Sequence, residues 1–103
     1  MKKLKSIFTD DMDHCIFTGS PYIERHHVFG GANRKRSEQY GFVVPLRYDL
    51  HPNGANFVRT EESMKIDQYL KETAQLYYEL HIGTRQQFIS EFGKSWVSRP
   101  DTE

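Results

Sequence analysis

Apolar and polar residues change their period once along this chain, near residue 60. Before that point apolar residues come in short runs broken by turn formers. "CIFTG" (15–19) predicts a short strand entering a turn at Gly19-Ser20-Pro21. "YIERHHVF" (22–29) predicts a second strand, because β-branched and aromatic residues recur in it. Gly30-Gly31 ends that strand and the polar residues 32–39 predict a loop. "YGFVVPL" (40–46) reads as a third strand that Pro45 confines to an edge or to its own end. In "RYDLHPNGAN", Asp49 is placed to cap a short helical turn that Gly54 closes.

Beyond residue 60 the period is helical. Ile66, Tyr69, Leu70, Thr73, Ala74, Tyr77 and His81 predict one face of a helix over about 61–82, with Thr60 as N-cap and Gly83 as its stop. Thr84 and Gln87 have the spacing of a capping box for a second helix, whose Phe88, Ile89 and Phe92 turn inward before Gly93. Trp96 is expected to fold back onto this helix pair. Tyr77 and Tyr78 are read as core rather than as a base-stacking platform. The expected class is α+β: strands, a short helix carrying His51, then two helices.

A chain of 103 residues has room for one core, so 1–103 is read as a single domain. Cys15 is the single cysteine, which excludes an internal disulfide and fits a reducing compartment. Residues 1–23 hold no apolar run of the length a signal peptide or membrane span needs, so a cytoplasmic location without membrane contact is expected. The net charge of zero argues against a general basic coat for nucleic acid. Its distribution is uneven: residues 1–59 carry nine Lys/Arg against six Asp/Glu, and 60–103 carry five against eight. From Arg25 to Arg36 there are four basic residues and no acid. That is the footprint of a small phosphate-contacting site, and equally of a solvated loop.

Inside this basic stretch, "ERHHVFGGANRKRS" (24–37) sets His26 beside His27. The plain reading is alternation across a strand, one ring packed and one exposed. The chemical reading starts from what metal-assisted phosphodiester cleavage requires: a base for water, a cation for the leaving oxygen, and positive groups for the backbone. Neighbouring strand residues point to opposite sides, so one histidine can face a cation and the other the attacking water. A further ligand can come from a following helix, and His51 sits there in the element order.

On these residues, together with "VVPLRYDLH", the chain resembles the HNH (His-Me finger) endonucleases from about Cys15 to Arg59. It is similar in particular to small HNH-type proteins encoded in phages and prophages, a similarity that extends through "YLK" (69–71) and "IGTRQQFISEFGKSW". The resemblance implies a ββα-metal core over about 15–59 with a C-terminal two-helix extension over about 60–97. It implies a nuclease that hydrolyses DNA with one divalent ion (magnesium, manganese, nickel or zinc). His27 would be the general base and His26 and His51 metal ligands. Arg25, Arg34, Lys35, Arg36 and Arg59 would contact the DNA backbone without reading sequence.

The chain departs from the family pattern at three places. Thr18 stands where many relatives have the second cysteine of a zinc knuckle. The base-orienting asparagine has no counterpart, that region reading Tyr40-Gly41-Phe42. Arg59 stands where similar phage proteins often carry a further histidine, and a guanidinium does not coordinate a cation. These departures keep open a rival reading, a catalytically weakened HNH-fold module that binds nucleic acid or a host protein, for instance as a phage counter-defence inhibitor. Of the remaining candidates, His14 is read as part of a solvated N-terminal segment, His81 as a helix-end residue, and Cys15 as buried and inert.

Overall fold

The computed structural model describes residues 5–47 and 61–97. Asp49, His51, Gly54, Arg59 and Thr60 lie outside the described residues, and with them the expected short helical turn. What is described is a small α+β domain with a two-stranded antiparallel sheet and three α-helices.

Strand β1 (Ile23–His27) pairs with β2 (Val43–Arg47), with His27 opposite Val43, Arg25 opposite Pro45 and Ile23 opposite Arg47. Val43, Val44, Pro45 and Leu46 are all buried, as a continuous apolar run demands. Pro45 sits where the ladder does not need its missing N–H. Its carbonyl faces away from β1 and accepts a bond from the Ile16 N–H at 3.2 Å. The 15–19 segment meets the sheet through this bond, but it is not a strand. It is a closed turn in which the Gly19 N–H donates to the Cys15 carbonyl (2.9 Å), with Gly19 at φ +76°. Glycine enters that left-handed conformation without steric cost, and the turn wins over the weak strand propensity of five residues.

The polar segment between the strands also differs from expectation. Instead of a loop, a 3-10 turn (Gly31–Asn33) leads into helix α1 (Arg34–Tyr40), which Gly41 ends at φ +79°. Arg, Lys, Glu and Gln are good helix formers, and only Ser37 of this helix is buried, so no apolar period marks it in the sequence. Ser37 clasps α1 to the end of β1. Its hydroxyl accepts from the Phe29 N–H at 3.1 Å and donates to the Phe29 carbonyl at 2.7 Å.

Helix α2 (Glu61–His81) and helix α3 (Arg85–Phe92) form the second part. The capping box of α3 is made as expected: the Gln87 N–H donates to Thr84 Oγ1, and the Thr84 N–H donates to Gln87 Oε1. The buried face of α2 is turned slightly from the expected one. Leu70, Ala74, Gln75 and Tyr78 are buried, whereas Tyr69 and His81 are exposed. Phe29 brings sheet and helices together, with ring centroids of Phe88, Phe92 and Trp96 within 5.6, 4.6 and 4.9 Å. Trp96 does fold back: its N–H donates to Gln75 Oε1 at 2.7 Å. One apolar core thus runs from Cys15 to Phe92. No helix among the described residues is long and apolar enough to cross a membrane.

Candidate catalytic cleft

Alternation along β1 decides where the two histidines go. His26 turns toward α2 and is buried, its Nε2 4.0 Å from Asp67 Oδ1. The other oxygen of Asp67 accepts from Lys71 Nζ at 2.7 Å. His27 turns toward α1, its Nε2 3.6 Å from Glu38 Oε1. The two imidazoles therefore leave the strand on opposite faces, each with a carboxylate beside it.

His27 lines an open cleft of about 550 Å³ together with Ile23, Glu24, Arg25, Arg34 and Glu38. The Ser37 clasp explains why α1 forms one wall. It fixes the rotation of the helix against the end of β1, and Arg34 and Glu38, four residues apart, share the helix face turned to His27. Of the expected backbone contacts, Arg25 and Arg34 flank the base candidate in this cleft. Lys35 and Arg36 do not line it, because successive helical residues are rotated apart. Arg36 is committed elsewhere: its Nη1 donates to Asn33 Oδ1 at 3.2 Å and its Nε lies 3.8 Å from Glu91 Oε1. His51 and Arg59 lie outside the described residues.

Glu38 and Asp67, the carboxylates beside the two imidazoles, were missed by sequence reasoning. A helical reading of "RKRSEQY" would have found Glu38, since it puts Arg34 and Glu38 on one face. Asp67 carried no such signal, because its approach to His26 depends on how α2 crosses the sheet.

The other titratable candidates do not line the cleft. His14 Nδ1 is 2.9 Å from Asp11 Oδ2 on the surface, and the exposed His81 ring packs on Tyr77 at 4.6 Å. Cys15 is buried as expected. Burial pushes its thiol up, but hydrogen bonds from the Thr18 side chain and from the backbone of Phe17, Arg47 and Thr18 outweigh it and hold the thiol below its usual value. No family model, curated protein or solved structure matches the chain. Among the described residues, no three His, Cys, Asp or Glu side chains group closely enough to hold a metal ion. The buried His26 imidazole lies 4.0 Å from the Asp67 carboxylate, nitrogen and oxygen donors of a kind divalent ions accept.

Proposed function

We propose that the chain is an HNH-type nuclease that hydrolyses DNA phosphodiester bonds, with His27 as general base. The observation that carries this reading is the shared cleft: an imidazole on a strand end, flanked by Arg25 and Arg34. In this reading the guanidinium groups hold the non-bridging oxygens of one phosphate. His27 takes a proton from water, the water oxygen attacks phosphorus, and the bond to the leaving oxygen breaks. His26 and His51 would hold a divalent cation, whose chemistry when bound is to offset negative charge on a leaving oxygen, although His26 leaves β1 on the face opposite the cleft. The hairpin followed by a His51-bearing helix would be the ββα-metal core, and the compartment the host cytosol if the protein is phage-encoded.

The test is cleavage of plasmid and single-stranded DNA with magnesium, manganese, nickel or zinc, comparing the natural protein with His27→Ala. A general base contributes roughly 10²–10⁴-fold to rate and little to affinity. The variant should therefore lose cleavage by that order while it still binds DNA. Equal cleavage by both proteins would overturn the assignment of His27. DNA binding with no cleavage under any of these ions would favour the weakened binding module, for which Arg59 is the sequence feature.

A further inference from the structure

We infer that Glu38 is the positioning residue for His27, taking from α1 the orienting role that no asparagine on the second strand fills. This inference rests on the nuclease reading of the cleft. Glu38 Oε1 stands 3.6 Å from His27 Nε2, across a cleft that both residues line. That separation is longer than a hydrogen bond, and catalytic contacts of this kind commonly tighten when substrate is bound. The Ser37 clasp holds the adjacent position of α1 to the Phe29 backbone, so a small side-chain rotation suffices to close the gap. A carboxylate at Nε2 accepts a hydrogen bond from the Nε2–H and so favours the tautomer in which Nδ1 carries the lone pair that a base needs. The arrangement is the base–orienter pair common to activated water and hydroxyl nucleophiles.

Stability does not explain the pair. The Glu38 side chain is 40% exposed, and ion pairs of that exposure contribute little to folding. Glu24 lines the cleft as well, but Glu38 is the carboxylate set 3.6 Å from the His27 ring. An orienting role accounts for a carboxylate in that place.

The experiment compares Glu38→Ala and Glu38→Gln with the natural protein in two measurements. In steady-state cleavage of a short duplex, Glu38→Ala should lower kcat, by less than the roughly 10²–10⁴-fold expected for His27→Ala. KM should fall at the same time, because a repulsive charge has left the cleft. Glu38→Gln, whose amide oxygen can still accept from Nε2, should recover part of kcat while keeping the lower KM. A carboxylate that merely braces α1 would lower stability and would not produce this split. In the second measurement, ¹⁵N-resolved NMR of the His27 ring needs no cleavage activity. It should show Nε2 protonated in the neutral ring of the natural protein, and a mixture of the two tautomers in Glu38→Ala. Unchanged kcat in Glu38→Ala, or a His27 tautomer indifferent to Glu38, would overturn the role of Glu38. If the natural protein cuts no DNA while the tautomer follows Glu38, the nuclease reading fails and the pairing stands.

Discussion

Arg34, Lys35 and Arg36 are consecutive in the sequence, yet the fold gives them different surroundings. Arg34 lines the cleft with His27, Lys35 is exposed on another side of α1, and Arg36 lies beside Asn33 and Glu91. Read as a loop, the three formed one basic patch. Read as a helix, they cannot all meet one phosphate. This yields a graded expectation for DNA binding. Removing a side chain that neutralises one phosphate of duplex DNA flattens the slope of log affinity against log salt by about 0.9. Arg25→Ala and Arg34→Ala should each change the slope by about that amount, and Arg36→Ala by much less. Fluorescence anisotropy across a salt series measures all three, and equal slopes for Arg34→Ala and Arg36→Ala would remove the cleft from the binding surface.

At the scale of elements, what could be read in the sequence depended on how local the signal was. The capping box of α3 needs only Thr84 and Gln87, three residues apart, and it is made as read. Strand β1 and the buried run of β2 were legible for the same reason, since period and composition are local. Helix α1 was not, because Ser37 is its one buried residue and its aromatic contact with the core, Tyr40, comes only at the last position, so no apolar period marks it. The face of α2 was legible in outline but misplaced at Tyr69, which packs edge-on to Phe17 at 6.3 Å on the surface. The strand alternation of His26 and His27 was legible, although neither ring is exposed, the side chains being 6% and 11% accessible. Their carboxylate partners come from α2 and α1 and were not legible. The importance of Ser37 to α1 can be measured. Ser37→Ala removes both bonds to Phe29 and leaves a buried N–H and C=O without that partner. The cost should be about 1–3 kcal/mol, read from denaturant midpoints. A second check is Gly41→Ala. Alanine is strained at φ +79°, and its Cβ would lie 3.2 Å from the Ile7 side chain and 3.3 Å from the Lys5 carbonyl. This variant should lose at least about 1 kcal/mol, with α1 less firmly ended.

Across the whole molecule the three helices meet at one carboxylate. Glu91 of α3 accepts from Tyr40 Oη of α1 at 2.7 Å and from Tyr78 Oη of α2 at 2.6 Å, with Arg36 beside it. No local pattern announces such a junction, since its members are 51 and 13 residues apart from Glu91. Burial pushes the Glu91 carboxyl up, but the bonds from Tyr78 and Tyr40 and the charge of Arg36 prevail and hold it below its ordinary value of 4.5. The tyrosines shift the other way. The bond to Glu91 and then burial raise Tyr40, and burial and then the same carboxylate raise Tyr78, from an ordinary value of 10.0. The signs fix two edges of stability. A carboxyl depressed in the folded state contributes stability that is complete above about 4.5 and is lost as pH falls through the depressed value. A phenol raised in the folded state contributes stability that is complete below about 10.0 and is lost as pH rises toward the raised value. Glu91→Gln should therefore lower the neutral plateau by about 1.5–3 kcal/mol, the range for hydrogen bonds to a charged group. It should also flatten the loss at both edges, because the titrating acceptor is gone and the phenols no longer face a charge. Chemical denaturation from pH 3 to pH 11 would show it. A Glu91→Gln profile parallel to that of the natural protein would mean that the junction holds the helices by packing alone.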